Sequence, residues 1–129
     1  EMIYHPKIYK DSIIWLKAKE YLETGAHYYK YSDLYYYNLK TKEKRQLTDD
    51  FYVSRCDIYD DTIVMAISPI DRRFQNELAV FEMKTDIIKK LIYKDSKVRN
   101  LYDGGFKIQS LKITDKYTFW YTQSFQPLS

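Results

Sequence analysis

The sequence predicts an all-β domain built from repeated four-stranded antiparallel units, and three observations predict it. Tyrosine, at 15 of 129 residues, leads an aromatic content of 18% against only 3 Gly and 3 Pro, a bias toward side chains that fit a half-buried pleated surface. Short runs rich in Ile, Val, Phe and Tyr at 61–68, 78–84 and 87–93 are punctuated by Asp-Asp, Ser-Pro and Lys-Thr-Asp, as strands joined by turns should be. The third observation is an internal repeat. Asp33-Leu34-Tyr35-Tyr36-Tyr37-Asn38-Leu39-Lys40-Thr41 recurs, at an offset of 44, as Glu77-Leu78-Ala79-Val80-Phe81-Glu82-Met83-Lys84-Thr85, and the match runs on without a gap until Leu47 meets Leu91.

Upstream of each copy lies a second recurring element. Asp11-Ser12-Ile13-Ile14-Trp15-Leu16, Asp61-Thr62-Ile63-Val64-Met65-Ala66 and Asp115-Lys116-Tyr117-Thr118-Phe119-Trp120 begin at positions 11, 61 and 115, an offset of 50 followed by one of 54. Residues 12–23 fit a strand by this recurrence. They also fit a helix, with Ile14, Ala18, Tyr21 and Leu22 on one face, Asp11 or Ser12 as N-cap and Gly25 as stop, so both readings stand. Six extra residues between Lys19 and Ser32, and ten between Tyr93 and Phe106, read as loops lengthened on a fixed scaffold. Leu34, Tyr36 and Asn38 alternate with Tyr35, Tyr37 and Leu39, the pattern of a strand packed between two neighbours. Arg55–Tyr59 reads as a strand ahead of the Asp60-Asp61 turn. Ile87, Ile88, Leu91 and Ile92 match a helical stripe, but their repeat partners at 42–48 do not, so strand is expected there.

Composition narrows the function classes. At 45% hydrophobic and 30% charged, with a mean hydropathy of -0.59, the chain fits one soluble domain; no run approaches the ~18 apolar residues of a membrane span. A net charge of +3 from 21 basic and 18 acidic residues spread along the chain gives no basic patch for nucleic acid. The single cysteine, Cys56, excludes an internal disulfide and a cysteine-based zinc site. Lying in a predicted innermost strand, it is expected to pack as a small buried hydrophobe. No compartment follows from these features. The start at Glu1, without a basic and then apolar segment, suggests a mature or trimmed product.

Four strands in about 44 residues is the size of one blade of a β-propeller. On that count the chain is a single propeller-type module of about two and a half blades: a blade remnant over 1–50, a full blade over 51–96 and the start of a third over 97–129. Asp33-Leu34-Tyr35 through Thr41 with Leu47-Thr48, and Ser54-Arg55-Cys56-Asp57 followed by Asp60-Asp61-Thr62-Ile63, resemble the blade signature of TolB-like propellers and the related propeller domains of prolyl oligopeptidase-type serine peptidases. The resemblance covers most of 11–124. Two positions depart from it. The usual glycine after Thr is Lys42 in one copy and Asp86 in the other, and the Ser-Pro-Asp-Gly hairpin is reduced to Tyr59-Asp60-Asp61 or Thr114-Asp115-Lys116. Membership implies a closed ring of four to eight blades, so the remaining blades must come from a longer parent chain or from a homo-oligomer. The termini, one inside an apparent blade, favour the longer chain.

No catalytic constellation is visible. The sequence lacks a Gly-x-Ser-x-Gly elbow, and its two histidines, His5 and His27, lie outside any nucleophile motif. Asp49-Asp50, Asp57 and Asp60-Asp61 lack the Asp-x-Asp-x-Asp-Gly spacing of a calcium loop and read as turn-formers; Asp103-Gly104-Gly105 reads as a turn. No metal or cofactor is expected. In a four-stranded meander, the second-to-third and fourth-to-first connections leave from one end. The two inserted stretches and 68–75 are all of this kind, so His27, Tyr28, Tyr29 and Tyr31 share a rim with Asp71, Arg72, Arg73 and Phe74, an arginine pair capable of bidentate contacts beside an aromatic. The function expected is a non-catalytic module that binds a protein or peptide through the rim built by 24–31, 69–75 and 100–106. Two alternatives remain. One is the substrate gate of a prolyl oligopeptidase-type peptidase whose hydrolase domain lies elsewhere, and the other is a carbohydrate-binding propeller that uses the inserted tyrosines.

Overall fold

The computed structural model of the chain describes residues 3–24, 27–68, 77–91 and 106–124. Every regular element among them is a strand: β1 (Ile3–Tyr9), β2 (Ser12–Thr24), β3 (His27–Asn38), β4 (Lys44–Gln46), β5 (Tyr52–Tyr59), β6 (Thr62–Ser68), β7 (Glu77–Glu82), β8 (Ile87–Leu91), β9 (Phe106–Ile113) and β10 (Thr118–Ser124). The strands form two four-stranded antiparallel sheets in the orders β1-β2-β3-β4 and β5-β6-β7-β8, followed by the hairpin β9–β10. The segment 1–50 thus holds a whole four-stranded sheet.

Of the two readings for 12–23, strand is the one adopted. Ile14 and Leu16 alternate with Ile13 and Trp15, and both go into the core against the second sheet. β2 also finds a full-length partner in β3, from Ser12↔Asn38 to Thr24↔His27. The inserted stretch is therefore not the irregular loop expected. Gly25-Ala26 lies between the two strands, and the aromatic and apolar residues on either side continue the ladder.

The turns explain the repeat signature. Lys42 N–H donates to the Asn38 carbonyl at 2.8 Å and Asp86 N–H to the Glu82 carbonyl at 2.9 Å, closing equivalent connections over 39–42 and 83–86. Each ends in a left-handed residue, Lys42 at φ 65° and Asp86 at φ 57°, a conformation that glycine adopts most readily. The turn geometry is made without glycine, at a steric cost that aspartate bears better than lysine. Both connections are tied to the preceding hairpin in the same way: Leu39 N–H donates to the Asp11 carbonyl and Met83 N–H to the Asp61 carbonyl, each at 2.8 Å. The first hairpins of the two sheets match as well, with Lys10 at φ 50° and Asp60 at φ 54°.

The spacing expected for the third copy needs correction. Ile113 pairs with Thr118 and Thr114 N–H donates to the Tyr117 carbonyl at 2.8 Å, so Asp115-Lys116 is the two-residue turn equivalent to Asp60-Asp61. The offset is 55, not 54. Trp120 then stands opposite Leu111 as Met65 stands opposite Cys56, rather than taking the place of Ala66. A slip of one residue moves every side chain to the other face, and the matching Asp had concealed it.

Stacking of the sheets creates two cores. Ile63, Met65 and Ile67 on β6 pack with Ile14, Leu16, Leu34 and Tyr36 of the first sheet. The alternate residues Val64 and Ala66, with Leu78 on β7, pack with Ile108 and Leu111 of β9. β6 is thus buried on both faces, which is why it reads as an unbroken apolar run. Each of its larger side chains removed from water contributes about 1.5–3 kcal/mol. Polar contacts bridge the same interfaces. The Tyr4 hydroxyl donates to Ser32 Oγ, which donates to the Val53 carbonyl. Arg45 meets Asp86 at 2.7 Å, and Asp57 Oδ2 accepts Ile113 N–H at 2.9 Å. Pro6 falls where the β1–β2 register shifts between Tyr4 and Lys7. A residue without an N–H is tolerated there because β1 is an edge strand.

A polar clasp ties Asp33-Leu34 to Leu47-Thr48. Leu34 N–H donates to Thr48 Oγ1 at 2.9 Å, Leu47 N–H donates to the Leu34 carbonyl at 2.8 Å, and Gln46 Nε2 bridges the Thr48 carbonyl and Asp33 Oδ2. Asp33 and Thr48 are buried, so these contacts satisfy polar groups that water does not reach. In the second sheet the equivalents of Asp33 and Gln46 are Glu77 and Lys90, which form an ion pair at 3.4 Å.

Candidate functional site

Beyond Ala18↔Ser32, β2 and β3 run on for five further cross-strand pairs, Glu20↔Tyr31 to Thr24↔His27. The second sheet has nothing comparable among the described residues. Ser32 already hydrogen-bonds the carbonyl of Val53, the second residue of β5, so the rest of the hairpin projects past that sheet. At the rise of an extended strand this arm is roughly 16 Å long. Its base carries a bulge, a register shift between Ala18 and Glu20. β5 shows another at Val53/Arg55, near the same end. Bulges re-aim strands and are frequent beside functional sites.

The candidate binding residues fall as follows. His27, Tyr28, Tyr29 and Tyr31 form the N-terminal part of β3, opposite Thr24, Glu23, Leu22 and Glu20; they belong to the arm rather than to a loop. Asp71, Arg72, Arg73 and Phe74 lie outside the described residues, as do 100–105 of the third rim segment. The strand ends that these segments join are described. Ser68 pairs with Tyr52, Glu77 with Ile67 and Leu91 with Leu78. All of these lie at the end from which the arm projects.

The opposite end carries a second feature, which the sequence did not suggest. The hairpin turns at 59–62 and 113–118 enclose an open cleft of about 340 Å³ lined by Tyr59, Asp60, Thr62, Thr114, Asp115 and Tyr117, among others. The Tyr59 phenol is raised above its ordinary value, first by its hydrogen bond with Tyr9 and further by Asp115 and Asp60. The cleft offers hydroxyl and carboxylate acceptors beside an exposed Tyr117. Its one sequence signal is the recurrence of an Asp-centred turn, Asp60-Asp61 and then Asp115-Lys116. Taken singly, those aspartates read only as turn-formers.

Cys56 is buried, as expected, and burial pushes its thiol up to about 12; Lys7 and Arg55 oppose the shift and Asp57 adds to it. A thiol so raised stays protonated at neutral pH and is a poor nucleophile. His5 sits exposed at φ 53° in the β1 bulge, its ring 5.2 Å from that of Tyr4 and its Nε2 3.3 Å from Arg55. Among the described residues no three His, Cys, Asp or Glu side chains converge to hold a metal ion, and no helix is long and apolar enough to cross a membrane. Compared with known proteins, the chain matches no family model, no curated protein and no solved structure.

Proposed function

We propose that this chain is a non-catalytic segment of a β-propeller of the TolB-like type and that it binds a protein or peptide at the end carrying the β2–β3 arm. The arm carries the reading. A paired hairpin projecting roughly 16 Å past its neighbour offers backbone beyond the sheet-on-sheet contact, and the connections 69–76 and 92–105 leave from the same end. An extended partner could add to an open strand edge of the arm, and Arg72 and Arg73 suit carboxylates of an acidic peptide. The propeller part rests on successive four-stranded meanders stacked face to face, with the middle one buried on both sides.

The test is a peptide selection by phage display on the full chain, repeated on two variants. One replaces Glu20–Tyr31 with an Asn-Gly turn, and the other is Arg72→Ala with Arg73→Ala. Peptides selected on the wild type are expected to lose at least about tenfold in affinity on each variant, roughly 1.4 kcal/mol. Equal binding by both variants rejects the rim. Selection of oligosaccharides instead, from a glycan array, would favour a sugar-binding role for the arm.

A further inference from the structure

The first sheet has one face packed on the second sheet and one face turned away from it. The repeat assigns each residue of the outer face an equivalent. At an offset of 50, Ile3, Ile8, Ile13 and Trp15 correspond to Val53, Ile58, Ile63 and Met65; at an offset of 44, Tyr37 and Leu39 correspond to Phe81 and Met83. In the second sheet these positions belong to its half of the main core, together with Cys56, Ile67 and Ala79, whose counterparts in the first sheet are Pro6, Lys17 and Tyr35. In the first sheet they meet solvent. Ile3 is 56% exposed where Val53 is 1%, Ile8 is 68% where Ile58 is 5%, and Leu39 is 45%. Ile13, Trp15 and Tyr37 are only half-buried, Trp15 being stacked on Tyr35 at 5.9 Å. A four-strand face seven residues long spans on the order of 300 Å² in flat projection; with Lys17 on it, its apolar part is no larger than the largest patch on a typical monomer, which is often functional.

The internal equivalence also says what covers such a face. Val53, Ile58, Ile63 and Met65 are covered by another antiparallel sheet, through Ile14, Leu16 and Leu34 of the preceding unit. A sheet presenting the matching side is therefore the fitting occupant. Within the chain, that side of the first sheet is used by the second, and that side of the second is used by β9. On the β9–β10 hairpin, the described residues of that side of β9, Ser110 and Lys112, are exposed. Lys112 does not bar stacking: by the offsets of 55 and 50 it is the equivalent of Lys7, which stands on the matching side of the first sheet, opposite Ile14.

We propose that the outer face of the first sheet receives a second copy of this chain head to tail, through the β9–β10 hairpin of that copy. The inference rests on the stacking of successive sheets and is independent of any ligand at the rim. A heterologous contact of this kind continues the existing stack and closes a ring when the rotation per copy allows it.

Light scattering on the full chain over a concentration series tests this. The mass is expected to rise above 15.7 kDa. Ile8→Lys with Leu39→Lys should weaken association at least tenfold while leaving the far-ultraviolet circular dichroism unchanged, because both side chains are already exposed. Ser110→Glu with Lys112→Glu should do the same from the other side. Mixing the two variants should restore a dimer, since each keeps the face the other lacks. A wild-type chain that stays at 15.7 kDa up to about 1 mM, where even weak specific affinity would show, overturns the proposal. A hairpin variant that associates as the wild type does, or a mixture that stays monomeric, overturns the head-to-tail arrangement.

Discussion

The two four-stranded sheets share one plan and differ in their surroundings. Their connections end in a left-handed residue at the same position, their second hairpins are tied to the first by the same backbone hydrogen bond, and their acidic positions reach the same fourth-strand partner. Yet Ile58 is buried and Ile8 is exposed, although both sit on the first strand at one repeat position. The backbone pattern is set locally, by turns and ladders. Burial is set by the next sheet in the stack, and the side chains have diverged to suit: Met65 and Ala79 in the second sheet face another sheet, whereas Trp15 and Tyr35 in the first cover one another.

The largest expected break in the comparison is a charge placed at that shared position. Ile58→Asp should cost more than about 4 kcal/mol, because a carboxylate would be buried without a partner. Ile8→Asp should shift stability by no more than about 0.5 kcal/mol under conditions where the chain is monomeric. Paired urea titrations check both, and equal effects would mean that the faces are not distinguished as described. Next comes the pH response of the buried core. Cys56 is raised from 9.0 to about 12 in the folded chain, so its contribution is fully present below pH 9 and is lost as the pH rises toward 12. The stability of the wild type should fall by up to about 1.4 kcal/mol per pH unit in that window from this group, and Cys56→Ala should remove that part of the slope. The first sheet has Pro6 at the equivalent place; its own alkaline group is Tyr4 on β1, raised above its ordinary value chiefly by burial.

A smaller effect separates the two clasps. Thr48→Val leaves the buried Leu34 N–H without its acceptor and should cost about 1–3 kcal/mol. Lys90→Ala breaks an ion pair whose lysine is mostly exposed and should cost no more than about 0.5 kcal/mol. Thermal melts of the two variants distinguish them. Smallest of all, Lys42→Gly should stabilise the chain by about 0.5–1 kcal/mol by relieving its positive φ. Asp86→Gly should gain less, since it gives up the contact with Arg45.

Much of the second sheet was legible in the sequence because β6 is apolar from Ile63 to Ile67 and its turns carry Asp-Asp and Lys-Thr-Asp. The first sheet was harder. Residues 12–23 satisfy a helical stripe as well as a strand, and only the pairing with β3 decides between them. Length variation commonly falls in loops, but here the inserted stretch extends a ladder through tyrosines that favour extended backbone. In the third copy an aspartate recurs on either of two alignments one residue apart, and hydrogen bonding rather than residue type fixes the turn. Of the candidate site, the location at one end followed from strand direction alone. The cleft at the other end depends on the turns at 59–62 and 113–118 meeting in space, and no local pattern encodes that.

Each strand of the two four-stranded sheets hydrogen-bonds only to strands next to it in the chain, and that order has a kinetic consequence. Such a sheet closes only short loops and needs no distant segment to complete its ladders, so its topological barrier is lower than that of a sandwich of the same size. The first sheet could pair its strands while later residues are still being synthesised. Its side facing the second sheet would wait for Val53 to Ile67 to emerge, and during that interval Ile14, Leu16 and Leu34 would be the surface most in need of protection by a chaperone.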